Sequence, residues 1–265
     1  MTCKDLILKK QNTTPLYTQP IIDPPKEYEK FIYKKIITEN ENVKLDKIRG
    51  MLSRKPHEDT WFNALMKLGR RHYLDVLKCD GCNKETYEYC YDIKYYTDLD
   101  YRKKYDASGW RIVFINDIGY IQEAYHRTTI AKFLSSLNII PDEITIPYVE
   151  YNQIDYKNIK KFNKLQQKIN LIKKSVNGDI KIEIDIKQDK INETFTENEK
   201  IEEYSIAFTL HLALEQYAYN PYIKTYDSIE LLRKDIFKYL RQNKKPNSQK
   251  PLSWFISIIN LFKKL

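Results

Sequence analysis

"GYIQEAYHRTTIAKFLSSL", residues 119–137, is the stretch whose reading decides the fold. An apolar run through Tyr120 and Ile121 enters a polar knot, Tyr125-His126-Arg127-Thr128-Thr129. Beyond it Ile130, Phe133, Leu134 and Leu137 stand at i, i+3, i+4 and i+7, the spacing of a helix with one buried stripe. Upstream, "WRIVFINDIGYIQEA" (110–124) sets two apolar runs around Asn116-Asp117-Ile118-Gly119, which predicts a hairpin feeding that helix. Downstream, Pro141 prevents the helix from continuing, and "EITIPYVEYNQI" (143–154) alternates Ile144, Ile146 and Tyr148 as a strand. The mixture of strands and helices predicts an α+β fold.

Working outward, residues 1–27 carry Pro15, Pro20, Pro24 and Pro25 and read as an extended arm folded on the body. "YEKFIYKKIIT" (28–38) is expected to be a short helix and "NVKLDKIRG" (42–50) a strand. Trp61, Leu65, Leu68 and His72 follow helical spacing behind Glu58 and Asp59, whose charges suit a helix N-terminus. The Cys- and Tyr-rich segment 79–106 reads as a packed insertion. "YKNIKKFNKLQQKINLIKKSVNG" (156–178) is a basic helix seamed by Ile159, Phe162, Leu165, Ile169 and Ile172. "DIKIEIDIKQ" (179–188) alternates like a half-buried strand, acidic 189–203 reads as a loop, and 204–243 as two helices broken at Asn220-Pro221. A Pro/Ser/Lys linker then sets off an amphipathic tail, "LSWFISIINLFKKL", suited to docking on the body or to homodimerisation through this C-terminal helix. The expected division is an arm at 1–41, a core at 42–152, a basic helix and strand at 153–203 and a helical region at 204–265.

The bulk properties narrow the class. Over 265 residues, 42% hydrophobic and 31% charged, the chain has the balance of a folded protein rather than a disordered one. No window reaches the roughly 18 apolar residues of a membrane span. The opening "MTCKDLILKK" lacks the apolar core of a signal peptide, so a cytoplasmic protein is expected. The net charge of +9 favours polyanionic partners. Lys160, Lys161, Lys164 and Lys168 on the basic helix, with Lys234 and Arg241 nearer the end, are the candidate nucleic-acid contacts. Cys79, Cys82 and Cys90 form a C-x2-C knuckle with a third thiol. Cys3 or His72 would complete four zinc ligands. The same letters also fit reduced thiols on a turn made by Asp80-Gly81.

The knot has chemistry of its own. A helix N-terminus offers unpaired amides and the positive end of its dipole, so it attracts anions. Thr128 and Thr129 add hydroxyls, Arg127 a fork of donors matched to phosphate oxygens, and His126 a group that moves a proton near neutral pH. That is a phosphate cradle, with Arg127, Thr128 and Thr129 as its ligands. A capping threonine and a satisfied core histidine would spell the same string.

The order strand, turn, strand, then Ala124-Tyr125-His126-Arg127 opening a helix resembles the ParB/sulfiredoxin superfamily, whose members carry Gly-Glu-Arg-Arg or Gly-Cys-His-Arg there. "VKLDKIR" (43–49) is similar to the family's opening strand and Glu58–Leu68 to the helix behind it, so the likeness covers about residues 42–152. It implies a ParB/sulfiredoxin-like mixed-sheet core with helical C-terminal additions, Arg127 as the phosphate-binding arginine and His126 as its neighbour. Two departures stand out: Ala124 replaces the motif's glycine, and Tyr125 replaces the sulfiredoxin cysteine, which removes cysteine-based chemistry from this loop.

The expected function is therefore binding of a nucleotide or nucleic-acid phosphate, with nuclease, nucleotide hydrolase or phosphotransferase activity using Mg²⁺ as its catalytic form. Glu123 and Asp117 are the nearby carboxylates, and Glu123, His126 and Arg127 the catalytic candidates. Glu183 and Asp185 share a strand face and read as its solvated side. The alternative is a non-catalytic DNA-associated or assembly protein with a degenerate ParB-like core, which Ala124 favours.

Overall fold

The computed structural model describes residues 3–10, 13–52, 59–67, 92–104, 109–175, 180–214 and 222–242. They belong to two compact units, one formed by residues 1–26, 34–153 and 193–202, the other by 27–33, 154–192 and 203–265. The architecture is mixed α+β.

In the first unit, helix α1 (Cys3–Lys9) begins the arm, and strands β1 (Ile32–Lys44) and β2 (Ile48–Met51) follow, separated by a 3-10 turn at Leu45–Lys47. Helix α2 (Trp61–Lys67), the short helices α3 (Lys94–Thr97) and α4 (Leu99–Lys103), the hairpin β3 (Arg111–Ile115) and β4 (Ile118–Ile121), helix α5 (Tyr125–Ser136) and strand β5 (Glu143–Ile154) complete it. The strand order is β2-β4-β3-β5-β1. Strand β4 lies parallel to β2 and antiparallel to β3, which lies parallel to β5, with Ile112 opposite Val149 and Phe114 opposite Tyr151. The α5 stripe buries Ile130, Phe133 and Leu134 in one core with Ile112, Phe114, Ile121 and Val149, as the helical spacing requires.

The arm is part of that core. Ile7, Leu16 and Ile21 are buried, and the Thr14 hydroxyl donates to Ser136 Oγ at 2.9 Å. The Ile22 N–H donates to the Arg49 carbonyl at 3.1 Å, and Ile22 bridges Gly50. A Cβ at Gly50 would overlap both the Ile22 carbonyl and the Tyr120 ring, so only glycine lets the arm lie this close.

In the second unit, helix α6 (Tyr156–Ser175) is followed by the hairpin β6 (Ile180–Phe195) and β7 (Glu199–Leu214), then β8 (Tyr222–Tyr226) antiparallel to β7, then helix α7 (Ile229–Gln242). Ile159, Phe162, Leu165 and Ile169 of α6 are buried, and Phe162 stacks on Phe208 of β7 at 6.1 Å. One carboxylate oxygen of Asp235 accepts from Tyr226 Oη at 2.6 Å and from Tyr222 Oη and Lys224 Nζ at 2.9 Å. Those donors hold its pKa down at about 2 and tie β8 to α7.

Several local expectations are corrected: the arm expected to be extended is helical at Cys3–Lys9, and the single strand expected over 42–50 is broken by the 3-10 turn at Leu45–Lys47. The short helix expected over 28–38 is a 3-10 turn at Tyr28–Phe31 followed by β1, where Ile32, Ile36, Ile37 and Thr38 suit a strand. The loop expected over 189–203 is the end of β6, a tight turn closed by Thr196 and Glu199, and the start of β7. The first of the two helices expected over 204–243 is β7, whose Phe208, Leu210 and Leu212 alternate into the core.

Candidate functional site

The site is built from the backbone at the end of β4. The Arg111 carbonyl accepts the N–H groups of both Gln122 and Glu123, at 3.1 and 3.2 Å, and so ends the hairpin. Ala124 then takes φ 61° and ψ 44°, the left-handed region, and α5 begins at Tyr125. Ala124 thus adopts a glycine-type conformation, which strains an L residue by roughly 1 kcal/mol. Ala124→Gly is expected to raise stability by about 0.5–1 kcal/mol, read as a higher urea midpoint with an unchanged slope.

The threonines face inward. Thr128 and Thr129 are fully buried. The Thr128 hydroxyl accepts from Trp110 Nε1 at 2.8 Å and donates to the Ala124 carbonyl at 3.2 Å. Among the described residues the Thr129 hydroxyl finds no hydrogen-bond partner. The two hydroxyl donors that the sequence reading places at the mouth are therefore inside the core. A buried Trp N–H needs an acceptor, and Thr128 is the group within reach.

Arg127 is only half-buried and is held from two sides. Its Nη1 donates to Tyr95 Oη at 3.1 Å, and its guanidinium carbon lies 5.7 Å from the centre of the Trp110 ring. Tyr95 and Trp110, both fully buried, stack with centroids 6.1 Å apart. A second guanidinium, that of Arg102, lies 5.7 Å from the same Trp110 ring. Arg102 is buried and donates to the carbonyls of Tyr95, Thr145 and Tyr96 at 2.9, 3.0 and 3.4 Å; burial lowers its pKa. Among the described residues Arg127 makes no ion pair. A planar fork on an aromatic platform, at the positive end of α5, is an anion receptor in its chemistry.

Glu123 is exposed and is drawn to Arg111, whose Nε lies 3.6 Å from its carboxylate. Gly109 sits between Glu123 and Arg127: a Cβ there would lie 3.8 Å from the carboxylate and 3.6 Å from Arg127 Nη2. His126 is half-buried, with its ring edge-on to Tyr125 at 6.1 Å. Asp117 is at the hairpin turn, the other end of β4 from Glu123, so these two carboxylates are not brought together.

Sequence reasoning missed Lys132, one turn along α5. It is 3% exposed and donates to the carbonyls of Leu45 and Ile48, each at 2.6 Å, with its ammonium 4.7 Å above the Trp61 ring. Burial, and secondarily the charge of Arg49, lower its pKa to about 7. Nothing in the letters around it marks it, because its partners lie more than eighty residues upstream. Arg102 was missed because its partners are the carbonyls of Tyr95, Tyr96 and Thr145, which no letter marks as acceptors, whereas Trp110, at the head of the hairpin, carried a signal in its need for an acceptor.

The remaining candidates scatter. Lys160 and Lys164 are exposed on α6, and Lys161 of the same helix is paired with Glu230. Lys168 is half-buried, and burial, Arg233 and Lys164 together lower its pKa. Lys234 is exposed on α7, and Arg241 lies in that helix's last turn. Glu183 and Asp185 on β6 are paired with Lys181 and His211. Cys79, Cys82, Cys90 and His72 lie outside the described residues, as does the tail 252–265. Cys3 is buried, with its thiol pushed up to about 12 by desolvation. Among the described residues no three His, Cys, Asp or Glu side chains gather as a metal set, and no helix is long and apolar enough to cross a membrane. No family model, no curated protein and no solved structure matches the chain.

Proposed function

We propose that this chain binds the phosphate of a nucleotide or nucleic acid at Arg127, in the manner of a ParB-like domain. The observation that carries the reading is the seating of Arg127. Tyr95 and Trp110 fix the guanidinium where the α5 dipole is positive, and no carboxylate among the described residues makes an ion pair with it. Preorganised donors of this kind bind anions without first being ordered. The geometry supports binding more than turnover, since Glu123 is already drawn to Arg111 and Asp117 is remote. With a nucleotide, Mg²⁺ would enter on the phosphates, and His126 is the proton-transfer group beside them.

Isothermal titration with CTP, ATP and ADP in the presence of Mg²⁺, and with a short single-stranded oligonucleotide, tests this. The wild type should bind at least one, and Arg127→Ala should weaken that binding about 10- to 100-fold, the effect of losing a charge-assisted hydrogen bond. Binding of none of them by the folded wild type ends the proposal.

A second reading, a non-catalytic DNA-associated protein, is favoured by α6 and α7. Burial, with the charges of Arg233 and Lys164 nearby, lowers the Lys168 pKa, so this surface gathers positive charge. In that case oligonucleotide affinity survives Arg127→Ala, and Lys164→Ala flattens its salt dependence by about one charge.

A further inference from the structure

We propose that β6 is a homodimerisation edge, pairing antiparallel with β6 of a second copy about a two-fold axis at Asp185. This does not depend on the phosphate site.

Among the described residues β6 has one strand neighbour, β7, and no strand pairs with its other edge, the kind of edge that a further strand extends. What fits is set by charge. Lys181, Glu183, Asp185, Lys187 and Asp189 occupy one face of the strand, and all are exposed. An axis perpendicular to the sheet and passing through Asp185 sets Lys181 opposite Asp189 and Glu183 opposite Lys187. Symmetry repeats both pairs, giving four contacts of opposite sign. On the other face the same register sets Ile184 opposite Ile186, both half-buried in the single chain.

Neighbouring registers do not fit. An axis at Ile184 would place Lys181 on Lys187 and Glu183 on Asp185; one at Ile186 would place Glu183 on Asp189. The cost of the Asp185 register is the meeting of the two Asp185 side chains. Each of them lies 3.1 Å from His211 Nε2 of β7, and the four contacts of opposite sign outnumber that one repulsive meeting. In the single chain the same charges pair along the strand, Lys181 with Glu183 at 3.3 Å and Lys187 with Asp189 at 2.9 Å. Alternating charge is also how edges repel one another, but repulsion needs no order of signs. Here the signs invert about one residue, which is what self-recognition in an antiparallel ladder requires.

Sedimentation equilibrium of the full chain tests this with exposed substitutions that leave the core alone. The wild type should dimerise. Glu183→Lys and Lys187→Glu should each weaken the dimer about tenfold or more, because each change puts two like-charge contacts beside the axis. The double variant, with both contacts restored in reversed sense, should recover the wild-type constant. Circular dichroism confirms the fold of each, and amide exchange over 181–189 in the wild type should slow as protein concentration rises. A wild type that is monomeric at every concentration overturns the proposal, as does a dimer indifferent to the single changes or one the double change does not restore.

Discussion

Lys132→Ala should lower folding stability by about 3 kcal/mol at neutral pH, among the largest effects of any single charged residue in this chain. The ammonium serves two buried carbonyls, those of Leu45 and Ile48, and lies 4.7 Å from the centre of the Trp61 ring. Alanine leaves both carbonyls without that donor and opens a gap beside the indole. The companion measurement is pH dependence. Folded, the amine titrates at about 7; unfolded, it titrates near the ordinary lysine value of about 10.4. Between those values the unfolded chain binds the extra proton, so stability should climb as pH rises, by about 2–4 kcal/mol from neutral to about pH 10. Lys132→Met fills the same space without a titrating group and should lack that climb. Urea unfolding of both proteins at several pH values, compared by difference, isolates the one amine from the other lysines. Parallel curves would show that Lys132 is charged and content where it lies.

Trp110 should separate stability from recognition. Trp110→Ala empties a fully buried site under Tyr95 and Arg127 and should lose about 3–5 kcal/mol. Trp110→Phe keeps a smaller ring for both guanidiniums and removes the Nε1 donor to Thr128. Its expected loss is about 1–2 kcal/mol, mostly the unmet Thr128 hydroxyl and the smaller ring. Under the phosphate reading, the Phe variant should keep most of its ligand affinity, whereas Arg127→Ala should stay fully folded and lose it. Chemical unfolding and isothermal titration on the same three proteins give both numbers. A Phe variant that is stable yet cannot bind would move the ligand contact from Arg127 to the indole.

What was legible in the letters was local. The hairpin at 110–124, helix α5, strand β5 and the basic helix α6 all carry their period within a dozen residues, and the structure has them where the spacing put them. Strand β7 was not legible in that way. "EKIEEYSIAFTLHLAL" is rich in residues that favour helix, and its place in the sheet makes it extended. At the candidate site, the position of Arg127 at the mouth of α5 follows from the hairpin-to-helix order. Its platform does not: Tyr95 comes from a segment whose sequence announces only that it is aromatic. The inward turn of Thr128 and the burial of Lys132 and Arg102 depend on chain segments distant in sequence, which no periodicity records.

The arm carries a last consequence, for biosynthesis. Ile7, Leu16 and Ile21 leave the ribosome before the surfaces that receive them, β2 and α5, which are complete only once Ser136 has been made. Until then the segment is sticky and unanchored. Removal of residues 1–24 strikes the closing step of folding rather than its beginning, and insoluble product is the expected sign.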